Sequence, residues 1–276
     1  MTKLFTGLLL ILTIASCKNA PKDASDKTSQ PSADMNSNLK PLGSPADTGS
    51  GEPWLFTDRN GTVYLSWIEK RGKEAILKFS SLTNDKWCEP VTIANGNNWF
   101  VNWADYPVVV SDGEKNFLAH FLEKSDTAKF TYDVKIVSSG DSGKSWSQPG
   151  VLHNDNVKAE DGFVSMIPYG ENYFVSWLDG RNTATEGKGG HDEGHHGQMT
   201  IRGAIVDKLG NKSGEWELDG KVCDCCQTGA AITDNGPVVV YRDRSDEEIR
   251  DMSIVRFVDG QWTSPKTIYA DNWKIK

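Results

Sequence analysis

The chain has 276 residues, of which 37% are hydrophobic and 25% are charged, so it is long and apolar enough to bury a core. Its 38 acidic residues outnumber its 30 lysines and arginines and give a formal net charge of −8. We therefore expect no nucleic-acid partner, because binding phosphates requires clustered positive charge that this composition does not supply.

The first 17 residues have the features of an export signal. Lys3 supplies a positive charge, and Leu4–Ile14 supplies an apolar run that is too short to cross a bilayer stably. The residues that end at Cys17 resemble the lipobox at which bacterial lipoproteins are cleaved and lipidated. We expect residues 1–17 to be a lipoprotein signal peptide. Cys17 would then anchor the exported protein to a bacterial membrane, on the periplasmic or the cell-surface side of an outer membrane. An uncleaved anchor helix is the alternative.

Residues 18–51 have a different composition from the rest of the chain. They are rich in Ser, Asp, Asn, Pro and Lys and contain no aromatic residue. Such a segment cannot bury enough apolar surface to offset the entropy lost on ordering. We expect it to be a disordered tether, and residues 52–276 to form the folded body.

One sequence pattern occurs four times in that body. Each copy has a short alternating strand, a turn rich in Gly, Asn or Asp, a second strand that ends in an aromatic residue, and a later Trp. The equivalent aromatic residues lie roughly 60 residues apart and are Trp67, Phe121, Trp177 and Tyr241. A four-stranded antiparallel unit of this length is typical of a propeller blade. The sequence therefore predicts an all-β fold with about four blades.

The turn before the last strand of the second copy has a specific motif. Ser139–Trp146 reads Ser-Gly-Asp-Ser-Gly-Lys-Ser-Trp, which resembles the Asp-box of sialidase-like β-propellers at every fixed position. The Asp carboxylate is expected to accept backbone N–H groups across a tight turn, and the Gly to adopt a conformation that a side chain disfavours. The Trp is expected to pack between neighbouring sheets. These roles are structural and not catalytic.

Two further segments, Val222–Thr228 and Tyr241–Asp246, extend this resemblance. With the Asp-box and the blade pattern, they make the chain similar to exported bacterial proteins of the sialidase superfamily with BNR (Asp-box) repeats, of the exo-α-sialidase-like kind. The resemblance covers residues 52–276 and implies a six-bladed propeller, a membrane-tethered lipoprotein and glycan hydrolysis. Four copies of a probable six would mean a C-terminally truncated propeller, which we expect because an open stack leaves a sheet edge unpaired. Four blades that close on themselves are the alternative.

Acidic residues lie where the chain enters the inner strands of two copies. Asp105 and Asp161 each stand 16 residues before the aromatic residue of their copy, and Cys225 has the same offset in the fourth. Equivalent offsets should bring these groups to one rim of a propeller, where carboxylates can transfer protons. Asp105 and Asp161 are therefore candidate catalytic residues of a glycosidase, as the acid and as the nucleophile or base. Solvated turn residues are the alternative.

Arginines follow the aromatic residue of the third and fourth copies. Arg181 lies in the segment after Trp177, and Arg242 and Arg244 lie in the segment after Tyr241. The planar guanidinium binds a carboxylate through two hydrogen bonds, so these residues are candidates to bind a carboxylated sugar. The alternative is a ladder of internal ion pairs, which the alternating acids and arginines of the second segment favour.

An insertion in the third copy and the entry to the fourth are dense in metal-ligating side chains. The candidate ligands of a transition metal, zinc or copper, are His191, His195, His196, Cys225 and Cys226. Two alternatives remain, a flexible Gly/His loop and a disulfide. The cysteines available for such a disulfide are Cys88, Cys223, Cys225 and Cys226.

Three functions remain open from the sequence. The first is a glycosidase of the sialidase-like kind. The second is a non-catalytic propeller that binds a glycan or a protein, since Gly51–Leu55, where sialidases carry an arginine, has none. The third is a periplasmic metal-binding protein that uses the His/Cys cluster.

Overall fold

The structure is a computed structural model that describes residues 40–183 and 197–274. The described residues from Leu42 onward belong to one compact unit. Its described residues are all-β, with 18 strands in four antiparallel sheets. The prediction of an all-β propeller with about four blades is confirmed. No helix in residues 40–183 or 197–274 has the length and apolar character needed to cross a membrane.

Each sheet corresponds to one copy of the sequence pattern, and its strands follow one another in chain order from the inner strand outward. Blade 1 contains β1 (Ser50–Thr57), β2 (Val63–Arg71), β3 (Glu74–Thr83), β4 (Lys86–Trp87) and β5 (Val91–Gly96). Its β4 and β5 both pair with β3. Blade 2 contains β6 (Val109–Ser111), β7 (Phe117–Lys124), β8 (Tyr132–Ser139) and β9 (Gly150–Val151).

The other two blades repeat this order. Blade 3 contains β10 (Asp161–Tyr169), β11 (Asn172–Asp179), β12 (Thr200–Val206) and β13 (Lys212–Asp219). Blade 4 contains β14 (Gly229–Thr233), β15 (Gly236–Arg242), β16 (Met252–Val258), β17 (Gln261–Trp262) and β18 (Lys266–Tyr269). Here β17 and β18 both pair with β16, as β4 and β5 do with β3.

In blades 1 and 2, polar turns join the first two strands, and an Asp side chain in each turn holds the backbone in place. In the β1–β2 turn, one carboxylate oxygen of Asp58 accepts the N–H groups of Asn60 (2.8 Å) and Thr62 (3.0 Å). Asp112 accepts the N–H groups of Glu114 and Asn116 in the corresponding turn of blade 2. Because these turns are fixed locally, the sequence pattern alone was sufficient to place them.

The apolar core lies between adjacent sheets. One buried cluster joins β3 and β7 side chains of blades 1 and 2, such as Leu77 and Phe121. A second joins blades 2 and 3 through Val134 and Val164, and a third joins blades 3 and 4. The inner strands contact one another in the order β1, β6, β10 and β14. This succession is the radial arrangement of a propeller.

The Asp-box forms the turn between β8 and β9 and packs against the preceding blade. One oxygen of Asp141 accepts the Ser145 N–H at 2.9 Å, and Gly143 has a φ of +78°. Trp146 donates its indole N–H to the Gly143 carbonyl and contacts Phe79 of blade 1. The predicted structural roles of Asp, Gly and Trp are those observed.

The strand order assigns the chemistry-bearing segments to one face of the propeller. The connections into each inner strand and the connections from each second strand to the third lie at the same end of the sheets. The predicted site residues of the described chain are on these connections or beside them: Asp105, Asp161, Arg181, Arg242, Arg244, Cys225 and Cys226. The Asp-box lies at the opposite end.

Candidate functional site

A strained bulge at the start of β10 is the point where three blades meet. The register of β10 against β11 shifts between Gly162 and Ser165, and Phe163 has a φ of 52°, which is rare for an aromatic residue. The Phe163 N–H donates to Asp105 at 2.8 Å, and its carbonyl accepts the Thr228 hydroxyl at 2.8 Å. Groups from the entries to blades 2 and 4 therefore hold this strained conformation in place.

Asp105 is the buried acid of this bulge. Its residue is 2% exposed, and one carboxyl oxygen has no hydrogen-bond partner among the described residues. Burial raises the pKa of Asp105 to about 8, with a smaller contribution from Glu160, while the Phe163 N–H partly lowers it. Gly162 is required here, because a Cβ at that position would overlap the Asp105 carboxyl group.

A tyrosine and a glutamate lie beside Asp105. The Tyr132 hydroxyl donates to Glu160 at 2.9 Å, and Tyr132 stacks on Phe100 with ring centroids 4.1 Å apart. Burial and the Glu160 charge raise the pKa of Tyr132 well above its ordinary value, so this phenol stays protonated. Glu160 is half-buried and is the member of the group that faces solvent.

Asp161 is the first residue of β10 and is 1% exposed. One of its oxygens accepts the Gly180 N–H at 3.1 Å, and the other lies 3.5 Å from His153 Nε2. Burial raises the pKa of Asp161 well above its ordinary value, and the neighbouring charge of Asp179 raises it further. The predicted carboxylates Asp105 and Asp161 thus flank the same bulge.

Arg181 is held by acids of its own chain. Its guanidinium bonds both oxygens of Asp179, at 2.7 and 2.6 Å, and lies 3.0 Å from both Asp155 and Glu215. Asp179 is fully buried and also accepts the Trp177 indole N–H. Burial lowers the pKa of Arg181, but pairing with Asp179 outweighs this and raises the pKa above its ordinary value.

The two arginines after Tyr241 are also paired. Arg242 lies 2.9 Å from Asp271 and donates to the Arg250 carbonyl at 2.7 Å. Arg244 lies 2.9 Å from Glu248, its neighbour in the same loop. These contacts form the internal ion-pair ladder that the sequence left open as an alternative to sugar binding.

Three cysteines cluster at the entry to β14. Cys223 Sγ lies 3.7 Å from Cys225 Sγ and 3.6 Å from Cys226 Sγ, and all three are free thiols. The neighbouring S–H groups and the Arg250 charge lower the pKa of Cys223. The cluster can hold a soft metal ion. Cys88 is also a free thiol and lies between β4 and β5.

The remaining site predictions fall outside the described residues. These are the lipidation site Cys17 and the candidate metal ligands His191, His195 and His196.

Sequence reasoning missed two members of the site. Asp133 on β8 and His153 after β9 lie within 4.8 Å of Asp161, measured between the atoms that could bind a metal. Nothing in their spacing along the chain indicates this proximity, because it depends on how β8, β9 and β10 pack. The isolated His153 carried no motif.

Comparisons with solved structures support the fold at low sequence identity. No protein-family model and no curated protein sequence matches the chain. A neuraminidase-like protein from A/bat/Guatemala/164/2009 is 11% identical, with 78% of this chain and 53% of that chain covered and a TM-score of 0.50. The neuraminidase-like β-propeller is thus the class of fold to which the chain is similar.

Two further solved structures are more distant in shape. A polysaccharide lyase of family PL25, an ulvan lyase bound to a sugar, is 13% identical, with 86% of this chain and 62% of that chain covered and a TM-score of 0.48. An α-L-arabinofuranosidase from Lactobacillus brevis is 12% identical, with 79% and 73% covered and a TM-score of 0.46. The chain therefore spans less than two thirds of the length of the ulvan lyase.

Proposed function

We propose that the protein acts on glycans at the face of the propeller that carries Asp105, Glu160 and Asp161. The observation that supports this function is a neutral buried acid beside a half-buried carboxylate at one strained bulge. Glycosidases cleave the glycosidic bond with two carboxyl groups, one kept protonated and one ionised by their different surroundings. The neuraminidase-like fold is compatible with this chemistry but does not by itself assign it.

In this proposal Asp105 supplies the proton. With a pKa of about 8 it is protonated at neutral pH and can give its proton to the leaving oxygen of a substrate bound at the bulge. Glu160 is the carboxylate that a ligand on the face contacts first, and Asp161 is the second buried acid. An enzyme that depends on neutral Asp105 loses activity as the pH rises through about 8.

A screen of the full chain against fluorogenic glycosides and polysaccharides tests the proposal. We expect at least one substrate to be cleaved, with the rate reduced by about 100-fold or more in Asp105→Asn or Glu160→Gln. Asp234→Asn, on the exposed β14–β15 turn at the opposite end, is the matched control and should retain full activity. Cleavage that survives both site variants would contradict the assignment. Binding without cleavage would favour the non-catalytic propeller.

The finer form of the proposal is hydrolysis of the exo-α-sialidase-like kind. In this form Arg181, Arg242 and Arg244 bind the carboxylate of the sugar. The sugar would then have to displace the acids that pair with these arginines, which are Asp179, Asp271 and Glu248. The substrate panel therefore includes a sialoside. Its cleavage, and the loss of that cleavage in Arg242→Lys, would support this form. Cleavage confined to uncharged glycosides would contradict it.

We further propose that the protein is exported and held on a bacterial membrane by a lipid on Cys17. The signal-like N-terminus supports this. Cys17→Ala should move the protein from the membrane fraction to the soluble fraction and abolish labelling by a fatty-acid analogue. Membrane association and labelling that are unchanged in Cys17→Ala would contradict the proposal.

Metal binding at the cysteine cluster is a second candidate function, favoured by the convergence of three thiols. Zinc or copper is the expected metal, and His191, His195 and His196 are the other candidate ligands. A Cys225→Ser, Cys226→Ser double variant should lose this metal, as measured by elemental analysis of protein purified without chelator. Metal content equal to that of the wild type would exclude the thiols as ligands.

A further inference from the structure

Three side chains from two blades converge beside the bulge. Asp133 comes from β8 of blade 2, His153 follows β9 of the same blade, and Asp161 begins β10 of blade 3. His153 Nε2 lies 3.8 Å from an oxygen of Asp133 and 3.5 Å from an oxygen of Asp161. The three potential ligand atoms lie within 4.8 Å of one another.

These separations fit a shared metal ion. A tetrahedral ion with bonds of about 2.1 Å to nitrogen and oxygen places neighbouring ligand atoms about 3.4 Å apart. The two distances from His153 Nε2 are close to that value. Both are longer than a good direct hydrogen bond, so the groups are near one another without being well bonded to one another.

Two of the three groups have buried atoms that lack hydrogen-bond partners. His153 is 3% exposed and Asp161 is 1% exposed. Neither His153 Nε2 nor Asp161 Oδ2 has a hydrogen-bond partner within the described chain. Such atoms are costly to bury. Both point into the space between the three side chains, and a cation bound there would satisfy them together.

The other polar atoms of His153 and Asp161 have partners that fix the two side chains. His153 Nδ1 lies 3.4 Å from Asp155, which itself accepts the Val157 N–H at 2.8 Å. A carboxylate behind an imidazole is the usual support of a metal-bound histidine, because it fixes the ring and the tautomer. The other oxygen of Asp161 accepts the Gly180 N–H at 3.1 Å.

The charges around this space favour a cation. The acids facing it are Asp133, Asp155, Asp161 and Asp179. Their cationic partners are Lys135, which lies 3.4 Å from Asp133, and Arg181, which binds Asp155 and Asp179. Asp161 has no lysine or arginine within ion-pair distance among the described residues. A doubly charged ion would offset this excess of negative charge.

We propose that Asp133, His153 and Asp161 bind one divalent transition-metal ion, with zinc as its representative. The imidazole favours such an ion over calcium and magnesium, which prefer oxygen ligands throughout. Because the ligands come from two blades, the ion links blade 2 to blade 3. This site differs from the cysteine cluster. It shares Asp161 with the proposed glycan site, but its test measures metal binding and needs no glycan.

The test uses a background variant of the full chain without the other candidate ligands. Its substitutions are Cys223→Ser, Cys225→Ser, Cys226→Ser, His191→Ala, His195→Ala and His196→Ala. Titration calorimetry with zinc should give one equivalent bound, and zinc should raise the thermal unfolding midpoint. Adding His153→Gln should weaken zinc binding by more than about 100-fold and remove the thermal shift.

Asp133→Asn is the second variant, because Asp133 is partly exposed and its loss perturbs packing less than loss of His153. It should weaken zinc binding in a folded protein, as judged by circular dichroism. Asp234→Asn is the matched control and should bind zinc as the background does.

Three results would overturn the proposal. The first is zinc binding unchanged by either ligand variant. The second is no zinc binding to the folded background, in which case His153 and Asp161 only pack against each other. The third is a thermal shift with calcium and none with zinc.

Discussion

Replacing Asp105 with Asn removes a buried acid that keeps its proton in the folded protein. Its pKa is about 8 when folded and about 3.9 when unfolded. Between these values the folded state binds more protons, so its stability falls as pH rises, by about 1.4 kcal/mol per pH unit. The loss of stability begins above about pH 4 and is complete above about pH 8. From about pH 5 to about pH 8, the wild type should lose ~4 kcal/mol relative to Asp105→Asn.

Urea unfolding of both proteins across this pH range measures the difference directly. Taking the difference between the two free energies of unfolding removes the contribution of other buried acids, such as Asp161, that titrate in both proteins. Asp126→Asn is the matched control. The hydrogen bond from Lys158 lowers the pKa of Asp126 to about 2, so it is ionised in both states and its effect should not vary with pH in this range. If the difference in free energy of unfolding between the wild type and Asp105→Asn is the same at both ends of the pH range, Asp105 is not a buried neutral acid.

Two other substitutions test the packing and the charges. Gly143→Ala should destabilise the fold by more than Gly61→Ala, because both have positive φ but only Gly143 would place its Cβ against Phe79. We expect about 1–2 kcal/mol for the left-handed backbone alone at either position, and equal urea midpoints would be inconsistent with the Asp-box packing. Arg181→Gln leaves the fully buried Asp179 without its cation and should cost about 3–5 kcal/mol. A loss below about 1 kcal/mol in the same assay would show that this pair is solvated.

The blades could be predicted from sequence because their determinants are local. Asp58 and Asp112 fix turns through hydrogen bonds to residues two and four positions away. The Asp-box is likewise a contact of Asp141 with Ser145. The equal offsets of Asp105 and Asp161 also carried real information, since both residues lie at one bulge.

The rest of the site depends on packing between blades, which leaves no pattern in the chain. His153 approaches Asp161 only because β9 and β10 belong to adjacent sheets. The Phe163 conformation depends on Asp105 and Thr228, which come from blades 2 and 4. The arginines are a case in which the side-chain type predicted a ligand contact but the structure shows internal partners. Their side chains suit a sugar carboxylate. The alternating acids and arginines after Tyr241 already favoured internal pairing of Arg242, but the sequence did not indicate that Asp179 binds Arg181.

Hydrogen–deuterium exchange with and without a bound glycan tests the central claim most directly. The ligand is the glycan or product analogue that the substrate screen identifies. We predict protection of residues 157–164 and 224–229, the segments that meet at the bulge, and loss of that protection in Glu160→Gln. Protection confined to the turns at the opposite end, such as residues 58–62 and 112–116, would contradict a glycan site at Asp105, Glu160 and Asp161.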